Sequence, residues 1–354
     1  MTDSAVLGTQ AAVADSFTAE DFQLKHRDGV LAADTNFAAQ SFWKDVRIRF
    51  FRKKSAVIGA IFIVLITLMA IVGPHMTSYT YSGQTLSEKN LAPRVPGLEN
   101  FGIFDGSENM STTTGSKLIN GYVSKDLGDT YYWFGSDNFG RDIWTRTWSG
   151  ARVSLIIAVA AAVIDMIIGM SYGLISGYFG GIVDSVMQRF LEIANGIPRL
   201  VIVTLLLLVL QPGMVTIIFA LMLTEWIGMS RIARAEMLKL KEQEFVLASR
   251  TLGAGSFFII FREVLPNIIG PIITQVMFSI PTAIFTEAFL SFVGLGIPVP
   301  QCSLGSLISE GFNSFTTHPY QIIPPIVVMA LLMLSFNLVA DGLREALDPK
   351  LKEM

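Results

Sequence analysis

Six blocks of this chain stay apolar for long enough to cross a lipid bilayer, and no other feature restricts the fold so tightly. A bilayer core is spanned by roughly 17–25 helical residues. The blocks predict spans at about Ala56–Val72, Val153–Tyr172 (interrupted by Asp165), Leu191–Leu210, Met214–Met229 (Glu225 near its end), Ile268–Val293 (carrying Glu287) and Ile322–Ala340. Hydrocarbon offers no partner to a backbone N–H or C=O, so each block must be helical. Pro198, Pro271, Pro281, Pro324 and Pro325 are expected to kink these helices or mark their ends. The expectation is an all-α membrane protein with six transmembrane helices.

Composition agrees and excludes several function classes. Hydrophobic residues make up 51% of the chain and charged residues 16%, against about a quarter charged in a soluble domain. A formal net charge of −3 gives no footprint for nucleic acid. The single cysteine, Cys302, excludes an internal disulfide and any multi-cysteine metal site. Three scattered histidines, His26, His75 and His318, argue against haem, zinc or histidine-based catalysis. The first apolar block begins after residue 54 without a small-residue cleavage site, so it is expected to remain as an anchor.

Charge sets the expected orientation. Lys44, Arg47, Arg49, Arg52, Lys53 and Lys54 precede the first span. Arg231, Arg234, Lys239, Lys241, Arg250 and Arg262 lie between the fourth and fifth, and Arg344, Lys350 and Lys352 follow the sixth. The segment at about Gly294–Gln321 has no Lys or Arg. Cytoplasmic loops carry the Lys/Arg excess, so both termini are placed in the cytoplasm. The resulting order is a flexible tail at 1–40, an amphipathic interfacial helix at 41–54 with Phe42, Trp43, Val46 and Phe50 near one face, and a first span at 55–73. An extracellular loop at 74–152, a core at 153–342 with a cytoplasmic loop at 233–267, and a tail at 343–354 complete it. So long a first loop implies its own fold or function.

The segment from Glu244 to Asn267 is too ordered in pattern for a linker. It reads as a helix, a break at Gly253, a short apolar stretch with Phe257, Phe258, Ile260 and Phe261, then Pro266 at the entry to the next span. Small Ala248 and Ser249 permit close approach of a partner, and Gly253 permits a reversal that a Cβ resists.

This segment resembles the EAA loop of ABC importer membrane subunits, whose pattern is Glu-Ala-Ala, three residues, Gly, nine residues, an apolar residue, any residue, Leu-Pro. The matching positions are Leu247, Ala248, Ser249, Gly253, Glu263, Val264, Leu265 and Pro266, with departures at Leu247, Ser249 and Glu263. The segment Phe134-Gly135-Ser136-Asp137-Asn138-Phe139-Gly140-Arg141-Asp142 is similar to the Leu-Gly-Thr-Asp-x-x-Gly-Arg-Asp run of peptide-type permeases, the dipeptide, oligopeptide and nickel group. Asn90–Leu98, Gly102–Gly106, Gly177–Gly181, Gly196-Ile197-Pro198 and Glu287–Gly296 extend a likeness to the C-type oligopeptide permease of Gram-positive bacteria over residues 40 to 350.

The resemblance implies the type I importer fold, a plasma-membrane location and a non-catalytic role. It implies a second homologous permease subunit, two ATP-binding subunits holding ATP and magnesium, an extracellular substrate-binding lipoprotein and a peptide substrate. Consistently, the chain has no Gly-x-x-x-x-Gly-Lys-Ser/Thr phosphate loop and so is expected to bind no cofactor of its own. Glu244, Ala248, Ser249, Gly253, Ala254, Leu265 and Pro266 become candidates for coupling to the ATPases, and Gly135, Asp137, Gly140, Arg141 and Asp142 form an external motif. Asp137, Asn138 and Asp142 lack the alternating ligands of a calcium loop, and a turn locked by Asp side chains and an Asp–Arg pair is the expected reading.

Carboxylates within spans avoid lipid. Asp165, Glu287 and the nearby Ser291 are candidate pathway residues, with a helix-packing or vestibule role as the alternative for Asp165 and bonding to a neighbouring helix for Glu287. Glu225-Trp226 with Arg231 and Arg234 suggests a gate or interface cluster. A proton-coupled carrier using Asp165, Glu225 and Glu287 is the rival reading, but it leaves the Glu244–Asn267 segment unexplained. The resemblance favours oligopeptides as cargo, with dipeptides, nickel or another small solute as the alternative.

Overall fold

The computed structural model describes residues 42–112 and 115–347; the expected tail at 1–40 and the final residues 348–354 lie outside them. Among the described residues, five helices are long and apolar enough to cross a membrane, and a bent pair makes a sixth if its halves count as one span. The helical class therefore stands, with one addition, a β-hairpin in the first long loop.

Helix α1 (Phe42–Arg52) precedes α2 (Lys54–Val72). α2 is apolar all round, and Ile58, Ile61, Val64, Leu65 and Leu68 stay exposed, as lipid-facing positions should. Its small residues meet the last helix, α12 (Ile323–Leu347): a Cβ on Gly59 would lie 2.7 Å from the Ser335 carbonyl oxygen. Small residues let membrane helices approach closely and gain dispersion energy that hydrocarbon contact alone does not supply.

The helix that carries the second expected span is longer than the apolar block and runs from Ile143 to Phe179. Its parts are α3 (Ile143–Ile164), a π-helical turn (Asp165–Gly169) and α4 (Met170–Phe179). The first turns contain Arg146 and several hydroxyl residues, which is why hydropathy hides them. The third span is broken: α5 (Gly181–Gly196) and α6, from Arg199 to Val209, meet at 80°. Pro198 explains the break, because the residue before a proline is driven out of the helical region; Ile197 sits at φ −83°, ψ 123°.

Helices α7 (Met214–Thr224) and α8 (Trp226–Leu240) form one span, and Gly169, Gly173 and Gly177 give α8 its seat. A Cβ on Gly173 would lie 2.2 Å from the Ser230 carbonyl oxygen, and on Gly177 2.8 Å from Met237 Cβ. Arg234 on α8 closes a two-pronged ion pair with Asp184 on α5, both contacts at 2.6 Å, and Ser176 donates to the same carboxylate at 2.5 Å. This fork geometry fits guanidinium to carboxylate.

Helix α9 (Glu244–Thr251) follows. The next helix starts at Ser256 and runs through a π-helical turn (Ile259–Val264) into α10 (Leu265–Leu290) and a last turn (Ser291–Leu295) in which Gly294 leaves the helical region at φ 89°. Pro266, expected at the entry of a new span, lies in the first turn of α10, two residues past the π turn, within the longer helix that starts at Ser256. Proline cannot donate the backbone bond there, and widened turns re-space a helix at such a gap. Helix α11 (Leu304–Asn313) and α12 complete the chain.

One core joins α2, α3, α7, α10, α11 and α12 through residues such as Ile66, Ile157, Ile217, Ile284, Leu304 and Leu332. A second joins α4, α8, α9 and α10 around Leu174, Met237, Val246, Ile259 and Ile272.

The loop after α2 has a fold of its own. β1 (Ser107–Thr112) pairs antiparallel with β2 (Gly115–Asn120), Ser107 opposite Asn120. Leu91, Tyr122 and Tyr132 form a small buried centre. The Tyr122 hydroxyl donates to the Ala92 carbonyl at 2.9 Å, and Arg94 lies 4.5 Å over the Tyr131 ring.

Candidate functional site

Three groups of residues carry the functional expectations, and the fold places them in three regions. The first is the α9 tip. Val246 is fully buried in the second core and Ala254 packs against that core, so the element is anchored from both sides of its turn. The turn is closed by two backbone bonds. The Ala254 N–H donates to the Ser249 carbonyl at 3.0 Å, and the Gly253 N–H to the Arg250 carbonyl at 3.0 Å. Gly253 has φ +84°. This is a Schellman C-cap, with the glycine in the left-handed position that a Cβ disfavours.

Anchoring leaves the outer side apolar and open. Leu252 is 88% exposed and Phe257 69%, with Phe245 and Leu247 also exposed. No atom lies within 4 Å of a Cβ built on Gly253. Phe257 and Phe261 stack at 5.9 Å. Leu265 and Pro266 begin α10 beyond the π turn, and Leu265 packs against the same core as Val246 and Ala254.

The second region is the motif expected on the outer side. Asp137 Oδ1 accepts from the Phe139 N–H at 2.8 Å and the Arg141 N–H at 3.0 Å, while its Oδ2 accepts from Arg141 Nε and Arg146 Nη1, each at 2.6 Å. Glu310 on α11 accepts from Arg141 Nη2 at 2.6 Å and Arg146 Nη2 at 3.1 Å. Both arginines are buried, and each is balanced by a carboxylate. Asp142 caps α3 by accepting from the Thr145 N–H at 2.9 Å. Burial raises the Asp142 carboxyl above the usual carboxylate range, against hydrogen bonds from Thr145 and Thr77 that lower it. Gly140 has φ +70°, and a Cβ there would lie 1.9 Å from the Thr85 carbonyl oxygen.

The Asp–Arg pair expected within the motif is thus formed. The sequence alone did not reveal Arg146 and Glu310 as its partners, because Glu310 is separated by 169 residues from Arg141. Changing Asp137 to alanine leaves Glu310 as the one carboxylate shared by two buried guanidinium groups and frees two N–H donors. The expected cost is about 3–5 kcal/mol, read as a lowered melting temperature of the detergent-solubilised protein and faster proteolysis in the loop.

The third region concerns the carboxylates within spans. Glu287 is fully buried and accepts from Ser154 at 3.1 Å, Ser291 at 2.7 Å and Ser303 at 2.6 Å. Ser303 caps α11, so Glu287 ties α3, α10 and α11 together. Asp165 is buried and accepts from Ser279 on α10. A furrow of two clefts, ≈ 300 Å³ and ≈ 430 Å³, shares Gln275 and Phe278. Its walls include Glu225, Arg231, Gln275, Ser279 and Thr282. Of the three expected pathway residues none lines this furrow: Asp165 stands behind Ser279, and Glu287 and Ser291 lie in the helix tie. The expected cluster of Glu225, Arg231 and Arg234 is divided, since Arg234 turns to Asp184. The signal that could have found Gln275, Ser279 and Thr282 was their spacing of four and three residues on one helix.

Replacing Glu287 with leucine removes the acceptor for three serine hydroxyls. Each stranded buried donor costs about 1–3 kcal/mol. The melting temperature is expected to fall, while uptake per folded transporter is unchanged; altered uptake per folded transporter would put Glu287 on the pathway.

Comparison with known proteins decides the family. Residues 169–353 match the model of the "Binding-protein-dependent transport system inner membrane component". The chain belongs to this family of transport permeases. Residues 41–93 of the permease match the N-terminal TM domain of oligopeptide transport permease C. The permease is 43% identical to the oligopeptide transport system permease protein OppC of Bacillus subtilis, over 88% of this chain and 91% of that one. It is 40% identical to the dipeptide permease DppC of the same organism, covering 88% and 87%, and 34% identical to OppC of Escherichia coli, covering 88% and 92%. A solved methionine ABC transporter, MetNI in inward-facing form, is 16% identical with a TM-score of 0.48, covering 56% of this chain and 94% of that one. The protein is an integral membrane permease component of a peptide-type ABC importer.

Proposed function

We propose that this permease imports oligopeptides, that its furrow forms one half of the translocation pathway, and that separate ATP-hydrolysing subunits drive it by gripping the α9 tip. The observation that carries the reading is the tip itself, an apolar surface of Leu252 and Phe257 held out by a glycine-closed turn and anchored through Val246. A soluble tip with no partner has no reason to expose such side chains, and exposed apolar clusters mark interaction sites. The tip and the basic loops around it then face the cytoplasm, and the Asp137–Glu310 knot faces the outside, where a substrate-binding lipoprotein delivers peptide.

The mechanism is alternating access. Nucleotide-driven closure of the ATPases pushes on α9, and the second core passes the push to α4, α8 and α10 because Val246 packs among them. Two of those helices carry furrow-lining side chains, Arg231 on α8 and Gln275 on α10. A second homologous permease supplies the facing half. The furrow mixes amide, hydroxyl and charged groups, which suits peptide backbones of varied side chain. ATP and magnesium sit on the partner subunits.

Affinity purification in mild detergent should bring down two ATPases and a second permease. In proteoliposomes of that assembly, uptake should require ATP and survive collapse of the pH gradient. Uptake abolished by collapse of the gradient while ATP stays high would favour the proton-driven rival. The dipeptide reading rests on the likeness to DppC. Uptake of peptides of graded length separates the two, since confinement to dipeptides would overturn the oligopeptide assignment.

A further inference from the structure

A cationic cleft lies where α1 meets the end of α12, away from the furrow, the α9 tip and the external knot. It has a volume of ≈ 290 Å³ and is lined by Arg49, Arg52, Lys53, Gly342, Glu345 and Ala346. Arg49, Arg52 and Lys53 share the lining with one carboxylate, Glu345. Glu345 is engaged by Lys53 at 2.5 Å. Arg52 has no carboxylate partner among the described residues.

The cleft is built rather than incidental. Val46 and Phe50 on α1 pack with Leu343, Ala346 and Leu347 of α12 and with Ile273 of α10. Its floor exists because Gly342 lets α12 approach α2; a Cβ there would lie 2.2 Å from Ala56 Cβ and 3.4 Å from Phe50 Cε2. Arginine forks are pre-organised for oxyanions and are more weakly hydrated than ammonium groups.

We propose that this cleft binds the phosphate of an anionic glycerophospholipid in the cytoplasmic leaflet. The inference rests on the orientation given above. Three observations favour a lipid over a dissolved phosphate. Ile48 and Phe51, on the same helix as Arg49 and Arg52, expose large apolar side chains that acyl chains would cover. α2 begins at Lys54, beside the cleft residue Lys53, and exposes Ile58, Ile61 and Phe62 along its first turns. The cleft therefore sits at the collar between headgroups and hydrocarbon. Anionic lipids of the inner leaflet are drawn to juxtamembrane basic clusters. A headgroup seated there is held by α1 and faces the end of α12, so it joins the two elements across the position of Glu345.

The test uses the purified assembly in nanodiscs of phosphatidylcholine with graded phosphatidylglycerol, counting retained lipids by native mass spectrometry. The Arg49→Gln/Arg52→Gln variant is expected to retain phosphatidylglycerol roughly thirtyfold less well, while Arg47→Gln, on the same helix outside the cleft, matches the unaltered protein. Inorganic phosphate at millimolar concentration should not displace the lipid. Arg52→Gln alone, at a more tolerant position, gives an intermediate loss if the double variant folds poorly. Equal retention by all variants overturns the proposal, as does displacement by inorganic phosphate, which would mark a site for a dissolved anion. Retention does not depend on transport, so its failure is distinct from failure of the peptide-import reading.

Discussion

Leu252→Asp is expected to abolish ATP-driven uptake while leaving the permease folded in the membrane, and Gly253→Trp to do the same. Leu252 is nearly fully exposed, and the space around Gly253 is open, so neither substitution disturbs the chain's own packing. The tryptophan adds a left-handed backbone penalty of about 1–2 kcal/mol, confined to one turn. In the assembled transporter both positions lie against the ATPase under the proposed function. A charge or a bulky ring at the centre of such a contact costs about 2–4 kcal/mol of binding, which is a loss of roughly 30-fold or more in affinity. Co-purification of the ATPases should fall together with peptide uptake, and the melting temperature of the isolated permease should stay within a few degrees. Normal uptake by both variants would remove the tip from the coupling mechanism. Leu247→Ala, at an exposed position in the α9 helix, provides a milder comparison.

The second large effect is on stability. Gly173→Leu is expected to prevent accumulation of folded permease. The new Cβ would meet the Ser230 carbonyl oxygen at 2.2 Å, the Ala233 Cβ at 2.8 Å and the Arg234 backbone nitrogen at 2.9 Å. Two of these are backbone atoms of α8, so no flexible side chain can yield. Relief requires α4 and α8 to separate, which breaks the second core and the Arg234–Asp184 fork. Overpacking costs about 1–3 kcal/mol in soluble cores and more where backbones touch. Gly228→Ala is the control: it lies on the same α8 helix, but its nearest neighbour is Gln275 Nε2 at 3.9 Å. Size-exclusion profiles from detergent extracts should show a monodisperse peak for Gly228→Ala and loss of that peak for Gly173→Leu. A normal peak for Gly173→Leu would mean that the α4–α8 approach is looser than these distances state.

Both predictions turn on glycines, and their legibility differed. Gly253 was readable because a local break between apolar stretches needs a residue that tolerates positive φ. Gly173 belongs to the run Gly169, Gly173, Gly177, a small residue every fourth position, which is visible in the sequence. What the run packs against was not visible, because α8 lies more than fifty residues further on. The external motif repeats the lesson. Its internal Asp137–Arg141 pair follows from four-residue spacing, but Glu310 belongs to it only through the packing of α11 on α3.

The helices also reach further than the apolar blocks they contain. Ile143–Leu155 contains Arg146 and Arg152, so averaging pushes the predicted start to Val153. The helix begins earlier because Arg146 is neutralised inside the protein by Asp137 and Glu310. The same averaging hid the long lead of the fifth span, where Ser256–Val264 is amphipathic rather than apolar.

The sequence by itself determined the class, the number of candidate crossings, the closed turn at Gly253 and the family, because helix formation in lipid and left-handed turns depend on residue type at neighbouring positions. The tertiary structure alone decided the furrow, the burial of Glu287 among three serines, and the cleft at Arg49 and Arg52. Those features arise from pairs of helices distant in sequence. Which face of a helix turns inward is set by the neighbour it packs against, and an apolar run that is hydrophobic on every side does not name that neighbour.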